Sequence, residues 1–200
     1  KNLDNFNDLQ LNNSFNKKIN LDNLPNLRTI ELGELFNQPI LHDYKPPKLE
    51  KFLIQKADTT FNQDIDFSNL ENLQNIEIFG NFNGNINLLN LPNLEDLKLG
   101  HFFNKRLTDL PSSLKTLVLG NNFNKKIDFS KMTKLENLVL GESYNHDILL
   151  QNLEDTEYFN VNIYILSAFN EKLEIGGLLG STHSNLIFGR SVSTPLIQLF

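Results

Sequence analysis

The side chains that could support metal binding or catalysis are few and scattered along the chain. There is no cysteine, and the four histidines, His42, His101, His146 and His183, fall at unrelated spacings. A zinc site needs clustered histidine or cysteine ligands at fixed separations. We therefore assign no residue to a metal, a cofactor or a catalytic step.

Two stretches come closest to a reactive constellation. Ser143, His146 and Asp147 are the residue types of a hydrolase triad, but closeness in sequence does not supply triad geometry. The glycine-rich run 176–181 lacks the Gly-Lys-Ser/Thr ending of a phosphate-binding loop, and we interpret it as a loop that lengthens its repeat. The sequence therefore predicts that the protein is not an enzyme.

The feature that organises the chain is an aromatic–asparagine pair that recurs every 20 to 25 residues. The full unit reads Leu-x-x-Leu-x-Leu-Gly-x-x-Phe-Asn-x-x-Ile, followed by about eight connecting residues. A ninth, degenerate copy has Val192 in the aromatic position. The eight pairs are Phe15-Asn16, Phe36-Asn37, Phe61-Asn62, Phe82-Asn83, Phe103-Asn104, Phe123-Asn124, Tyr144-Asn145 and Phe169-Asn170.

The repeat unit predicts a solenoid. Leu-x-Leu alternation is typical of a short strand with its aliphatic residues inward, and the unit is too short for a strand, a full helix and two turns. We predict residues 1–200 to be a single leucine-rich-repeat solenoid of about nine 20–25-residue repeats. It should be a mainly β, right-handed coil with little helix and a parallel sheet on its concave face. The aromatic rings should stack as a spine, and the asparagines should bridge successive coils as a ladder.

Glycines and length changes indicate where the coil bends. The glycine after the strand suits either a positive φ or a close backbone approach, and it occurs at Gly33, Gly100, Gly120, Gly141 and Gly189. Extra residues within 41–49, 54–61, 153–160 and 176–181 predict longer loops, because insertions in solenoids fall in loops.

The segment Leu110 to Ile127 and the motif Phe36-Asn37-Gln38-Pro39-Ile40 resemble the FNIP repeat, a leucine-rich-repeat subclass named for Phe-Asn-x-Pro. Only Pro39 and Pro195 supply that proline, so the array is diverged. The resemblance implies a curved solenoid that binds proteins, from an amoeba or a giant virus. Phe61-Asn62-Gln63 is also similar to repeats of bacterial surface proteins, although their usual tryptophan is absent. A surface or secreted adhesion module is therefore the alternative.

The outward residues of the strands predict the binding surface. They form a row that is mainly polar at first and apolar from Val118 onward: Gln10, Glu31, Leu53, Glu77, Lys98, Val118, Val139, Tyr164 and Ile187. Small polar residues flank its apolar half, at Thr116, Asn137, Asn162 and Asn185. An apolar row on a sheet face that meets water indicates an interface. We expect a protein partner to contact Val118, Val139, Tyr164 and Ile187.

Charge and composition limit the partners and the compartment. A net charge of −6 argues against nucleic acid, and no segment is long and apolar enough to cross a bilayer. Three basic pairs, Lys17-Lys18, Lys105-Arg106 and Lys125-Lys126, share one repeat position, which predicts either a solvated edge or a contact with an acidic partner. The lack of cysteine fits a reducing cytoplasm, that of the host if the protein is viral. A second copy, docked on the concave face or on an open solenoid end, is the alternative partner.

Overall fold

The computed structural model describes residues 5–150, 162–166, 171–175 and 185–188. Within these ranges the chain forms short strands joined by turns and contains no helix, which confirms the mainly β prediction. The strands are β1 (Asp8–Gln10), β2 (Thr29–Glu31), β3 (Lys51–Ile54), β4 (Ile65–Asp66), β5 (Asn75–Ile78), β6 (Ile86–Asn87), β7 (Asp96–Leu99), β8 (Thr116–Leu119), β9 (Asn137–Leu140), β10 (Ile148–Leu150), β11 (Asn162–Ile165), β12 (Leu173–Ile175) and β13 (Asn185–Phe188).

One parallel sheet carries the repeat. It has nine strands in the order β1-β2-β3-β5-β7-β8-β9-β11-β13, and each strand pairs with the equivalent strand of the next repeat. The strands of neighbouring repeats therefore lie side by side, and the chain winds through stacked coils as predicted. Seven of these coils follow one another without a gap between residues 5 and 150.

The inward residues of the sheet form one continuous core. Leu117 and Leu119 of β8 are fully buried, as are Leu138 and Leu140 of β9, and the same alternation holds in the neighbouring coils. Burying one such side chain stabilises the fold by about 2 kcal/mol. Because the cover comes from the coils on either side, the stability belongs to the stack rather than to any single coil.

The aromatic spine lies along the bend after each strand of the main sheet. From Phe15 to Tyr144, the ring centroids of successive coils are 5.7 to 6.4 Å apart, and their planes differ by 3° to 21°. The predicted stack is therefore present in all seven coils between residues 5 and 150.

The asparagine ladder runs beside the spine. From Asn16 to Asn124, the side-chain Oδ1 of each ladder asparagine accepts a hydrogen bond from the backbone N–H of the asparagine in the next coil. The six bonds, from the Asn16–Asn37 step to the Asn124–Asn145 step, measure 2.7 to 3.2 Å. The ladder satisfies one backbone donor per coil at the point where the chain leaves the sheet.

The glycines allow the coils to approach closely. A Cβ on Gly120 would lie 2.5 Å from the carbonyl carbon of Gly100 in the preceding coil, which leaves no room for any side chain. Among the described glycines only Gly80 has a positive φ, of 68°. Left-handed backbone also occurs at Leu41, in the insertion at 41–49, and at Asn69, Asn90 and Asp109, each of which directly precedes a buried leucine in three consecutive repeats.

The return path of each coil is extended or turned, as expected for so short a unit. It includes two small parallel pairs, β4 with β6 and β10 with β12. In the insertion at 41–49, the Lys45 ammonium donates to the Asp66 carboxylate at 2.6 Å and to the Ser68 hydroxyl at 2.9 Å, and so ties the loop to the next coil. The predicted loops at 153–160 and 176–181, the pair Phe169-Asn170, and Gly189, Val192 and Pro195 lie outside the described residues.

Candidate binding surface

The sheet face that points away from the core is called the outer sheet face here. The strand register aligns its predicted row, Gln10, Glu31, Leu53, Glu77, Lys98, Val118, Val139, Tyr164 and Ile187, through an unbroken series of Cα pairings. The row therefore crosses all nine strands. Ile187 has its place in this register by its backbone, and its side chain lies outside the described part of the structure.

The polar half of the row is built around Glu77. This residue is only 8% exposed, and its carboxylate accepts hydrogen bonds from Gln55 at 2.7 Å and from Lys98 at 2.9 Å. Burial acts to raise the pKa of Glu77, but the hydrogen bonds of Gln55 and Lys98 and the Lys98 charge outweigh it and hold the pKa below its usual range. Glu77 is therefore a partnered anion in the folded protein.

Gln55 is the member of this network that the sequence does not reveal. It follows β3 directly and, by the strand register, holds the repeat position of Gly33, which lies two residues after β2. Farther along the row, the Gln10 amide donates to the Glu31 carboxylate at 3.1 Å. Side-chain hydrogen bonds between coils therefore connect residues of the polar half and fix the positions of the Glu31 and Glu77 carboxylates.

The apolar half of the row is less open than the sequence predicts. Val118 and Val139 lie outside the core cluster, yet each is only 5% exposed. Neighbouring strands are about 4.8 Å apart, so each valine is covered by its partners in the row and by the residues beside them. Tyr164, next to Val139 in the register, is half-buried and remains accessible.

The small polar residues that flank the apolar half are also in register. Thr116, Asn137, Asn162 and Asn185 pair in succession through their Cα atoms. The Asn162 amide donates to the Asn137 side-chain oxygen at 3.1 Å. The accessible part of this surface is therefore an aromatic ring beside a floor of valines and a fixed amide pair.

The reactive residue types are not brought together. The His146 ring lies 3.3 Å from the backbone oxygen of Asn124 and packs edge-on against Tyr144, while the Asp147 carboxylate accepts from the backbone N–H of Lys172. The backbone N–H of Ser143 donates to Asn121. The hydrogen bonds of these three residues therefore link coils rather than form a triad.

The other histidines are separate from one another. His42 lies 2.9 Å from the Asp43 carboxylate in one bend, His101 lies in a bend three coils away, and His183 falls outside the described residues. Across residues 5–150, 162–166, 171–175 and 185–188, no group of three or more His, Cys, Asp or Glu residues is placed to hold a metal ion. In the same ranges the structure has no helix of the length and apolar character needed to span a bilayer.

Comparison with known proteins agrees with the geometry. Residues 103–130 match the model of the FNIP Repeat family. No curated protein and no solved structure matches the chain significantly. The matched segment runs from one ring of the spine, Phe103, past the next, Phe123, and the same ring stack and asparagine ladder connect it to the coils on either side. The chain therefore contains a segment, residues 103–130, that is similar to the FNIP repeat, and the coils on either side are built in the same way.

Proposed function

We propose that this protein is a non-enzymatic interaction scaffold that presents its outer sheet face to a protein partner. Repeat solenoids are typical of such scaffolds, because stacking creates an extended surface from short units. The proposal depends above all on one observation, the unbroken row across the sheet that leads from partnered charges at Glu77 and Lys98 to the accessible Tyr164.

The row has the make-up of a binding surface. An accessible tyrosine beside an apolar floor is a frequent anchor in protein interfaces, because the ring buries a large area at a small cost in side-chain entropy. The ion pair between Lys98 and Glu77, at 2.9 Å, is held by the sheet and would select partners by charge. We therefore propose Tyr164 as the anchor and Val118 and Val139 as the floor beneath the partner, with Ile187 continuing the row.

The test is site-specific photo-crosslinking. A benzophenone amino acid is placed at position 164 and, as a matched control, at position 89, where Leu89 is 44% exposed on the return path of its coil. The expected result in an extract of the source cells is a crosslinked adduct of defined mass from position 164 and none from position 89. Adducts from both positions, or from neither, would contradict the proposal.

Light scattering distinguishes a second copy of the chain from a foreign partner. It measures the solution mass over about a hundredfold range of protein concentration, and self-association depends on concentration. Tyr164→Asp is the informative variant in this experiment. Val139→Asp would bury a charge at a site only 5% exposed and would destabilise the fold. A wild-type dimer that Tyr164→Asp dissociates would assign the surface to self-association rather than to a foreign partner.

The adhesion alternative gains no support from its own motif. The Gln63 amide donates to the Asn37 side-chain oxygen at 3.0 Å, as the Gln38 amide does to Asn16. The glutamine that follows Phe-Asn therefore strengthens the contact between coils and does not point to an extracellular ligand. We place the proposed scaffold in the cytoplasm, that of the host if the protein is viral, since a chain without cysteine suits a reducing compartment.

A further inference from the structure

A cluster of four cations lies on the bend edge of two adjacent coils and is called the basic edge here. It consists of Lys105 and Arg106 in one coil and Lys125 and Lys126 in the next. The hydrogen bond from the Asn124 N–H to Asn104, at 3.0 Å, fixes the two pairs side by side, because each pair directly follows its asparagine. The buried side chains of Leu107 and Ile127 anchor the same segments from the other end.

The charges of the basic edge act only weakly on carboxylates within the fold, Lys105 on Asp64 and Lys126 on Asp128. Among the described residues none of the four cations forms an ion pair, whereas Lys18, the equivalent residue of the first coil, pairs with Asp43 at 3.1 Å. Arg106, Lys125 and Lys126 are exposed, and Lys105 is half-buried. Four unpaired cations within two coils of a chain with a net charge of −6 form a local positive field that must be satisfied by solvent or by a partner.

A groove of about 890 Å³ begins at the basic edge and follows the return path. Arg106, Lys125, Lys126 and Lys131 line it together with the apolar side chains Leu107, Leu110, Ile127, Phe129 and Leu149. Leu149 is 36% exposed. The groove therefore offers positive charge at its mouth and an accessible aliphatic surface beside it.

Three carboxylates also line the groove, Asp109, Asp128 and Asp147. Two of them already accept hydrogen bonds, Asp128 from the backbone N–H of Ser130 at 3.0 Å and Asp147 from the backbone N–H of Lys172 at 3.1 Å. The hydrogen bonds from Ser130 hold the pKa of Asp128 below its usual range, with a smaller contribution from the charges of Lys131 and Lys126. The cations of the edge and groove outnumber these carboxylates, so an anionic ligand is favoured.

The length of the edge favours a peptide over a nucleic acid. In the coil after the basic edge, Asp147 lies two residues beyond the ladder asparagine Asn145. On the other side of the edge, Asp64 lies two residues beyond the ladder asparagine Asn62. A phosphate backbone that continued along the edge would meet these carboxylates after two coils. The three successive coils that carry Lys105, Lys125 and Leu149 span about 10 Å, which equals the length of about three or four residues of extended peptide. The accessible Leu149 suits an aliphatic side chain among the acidic ones.

We propose that the basic edge and its groove bind a short acidic segment of a protein, in which carboxylates contact Lys105, Arg106, Lys125 and Lys126 and an aliphatic side chain lies against Leu149. This docking site is separate from the outer sheet face and does not depend on the function proposed for that face. The two surfaces together would let one solenoid hold two partners.

The test uses a fluorescein-labelled heptapeptide, Gly-Glu-Glu-Leu-Glu-Glu-Gly, and its glutamine counterpart, with affinity measured by fluorescence anisotropy. We expect the glutamate peptide to bind the wild-type chain, and the variant Lys105→Gln/Arg106→Gln/Lys125→Gln/Lys126→Gln to bind it at least about tenfold more weakly. Raising the salt from about 0.05 M to about 0.5 M should weaken wild-type binding by a similar factor, since screening shortens the reach of these charges. Leu149→Ser should weaken it by a smaller factor.

The matched control is Lys17→Gln/Lys18→Gln, which removes two cations from the same repeat position in the first coil and should change the affinity less than about twofold. Tyr164→Asp should leave the peptide affinity unchanged, so failure here is separate from failure of the proposed function. Circular dichroism verifies that each variant is folded. The proposal would be overturned if the wild-type chain did not bind the glutamate peptide, or if it bound the glutamine peptide equally well. It would also be overturned if the quadruple variant bound the glutamate peptide as tightly as the wild type does, or if the wild type bound polyphosphate or single-stranded DNA more tightly than the glutamate peptide.

Discussion

At the scale of single residues, the spine contains one hydroxyl that the core does not use. Tyr144 takes the position that phenylalanine holds in the preceding coils and is fully buried. The described polar group that approaches its hydroxyl is the Ile127 backbone, which lies outside full hydrogen-bond geometry. Burial raises the pKa of Tyr144 to about 12, and the approach of the Ile127 backbone opposes that rise only in part. A buried hydroxyl without a partner costs about 1–3 kcal/mol of stability.

Replacing this tyrosine should therefore stabilise the protein. We expect Tyr144→Phe to raise the free energy of unfolding by about 1 kcal/mol, measured by urea denaturation, because the ring stack is kept and the orphaned hydroxyl is removed. The matched control is Phe123→Tyr, which adds a hydroxyl to the neighbouring ring of the stack and should lower the stability. A clear loss of stability in Tyr144→Phe would mean that the hydroxyl has a partner in solution.

The buried carboxylate on the outer sheet face predicts a dependence on pH. The folded-state pKa of Glu77 lies below its ordinary value of 4.5, so its contribution to stability is present above that value and is lost as the pH falls through the folded-state pKa. We expect Glu77→Gln to be less stable than the wild type at pH 7, and this difference to shrink toward pH 3. Urea denaturation at several pH values measures it, with the exposed Glu142→Gln as a control. A difference that does not change with pH would rule out the charge as its cause.

At the scale of the structural element, the close contact between successive bends depends on glycine. A Cβ on Gly120 would lie 2.6 Å from both the carbonyl oxygen of Gly100 and the Cα of His101, and neither backbone can move without separating the coils. We expect Gly120→Ala to lower the free energy of unfolding by about 2–3 kcal/mol or more, the range of severe overpacking. Thermal unfolding measures the loss, and the exposed Glu142→Ala should have almost no effect. An Ala variant as stable as the wild type would show that the bends can separate without cost.

The same scale shows what the sequence could and could not predict. The ring stack and the ladder follow from strict spacing, because side chains at the same repeat position must meet when coils stack. The burial of Val118 and Val139 does not follow from spacing, because it depends on how side chains of three adjacent strands cover one another. The contact of Gln55 with Glu77 was missed for a similar reason, since a long side chain reaches across the strand register. The groove beside Leu149 depends on the path of the return segments, which the repeat pattern leaves undefined.

At the scale of the whole molecule, the solenoid behaves as a row of nearly equivalent units. Between residues 5 and 150, each coil contacts its neighbours through one sheet strand, one ring of the spine and one rung of the ladder. In such a row the stability is close to a sum of terms for units and for their contacts. The length of the row can therefore change as long as every contact between neighbouring coils is kept.

This additivity predicts the effect of duplicating one coil. We expect a second copy of residues 116–136, inserted after residue 136, to fold into the stack and to raise the melting temperature by a few degrees, since the new coil is covered on both sides. The inserted Phe123 and Asn124 would continue the spine and the ladder, whose steps measure 6.0 Å and 3.0 Å at this point. Inserting only residues 116–125 is the matched control, because half a coil would place the following strand on the wrong side of the stack and should unfold the region after it. Scanning calorimetry and hydrogen exchange distinguish the two results. If the full-coil insertion destabilised the protein as much as the half-coil insertion, the stability of the solenoid would not come from its repeated contacts.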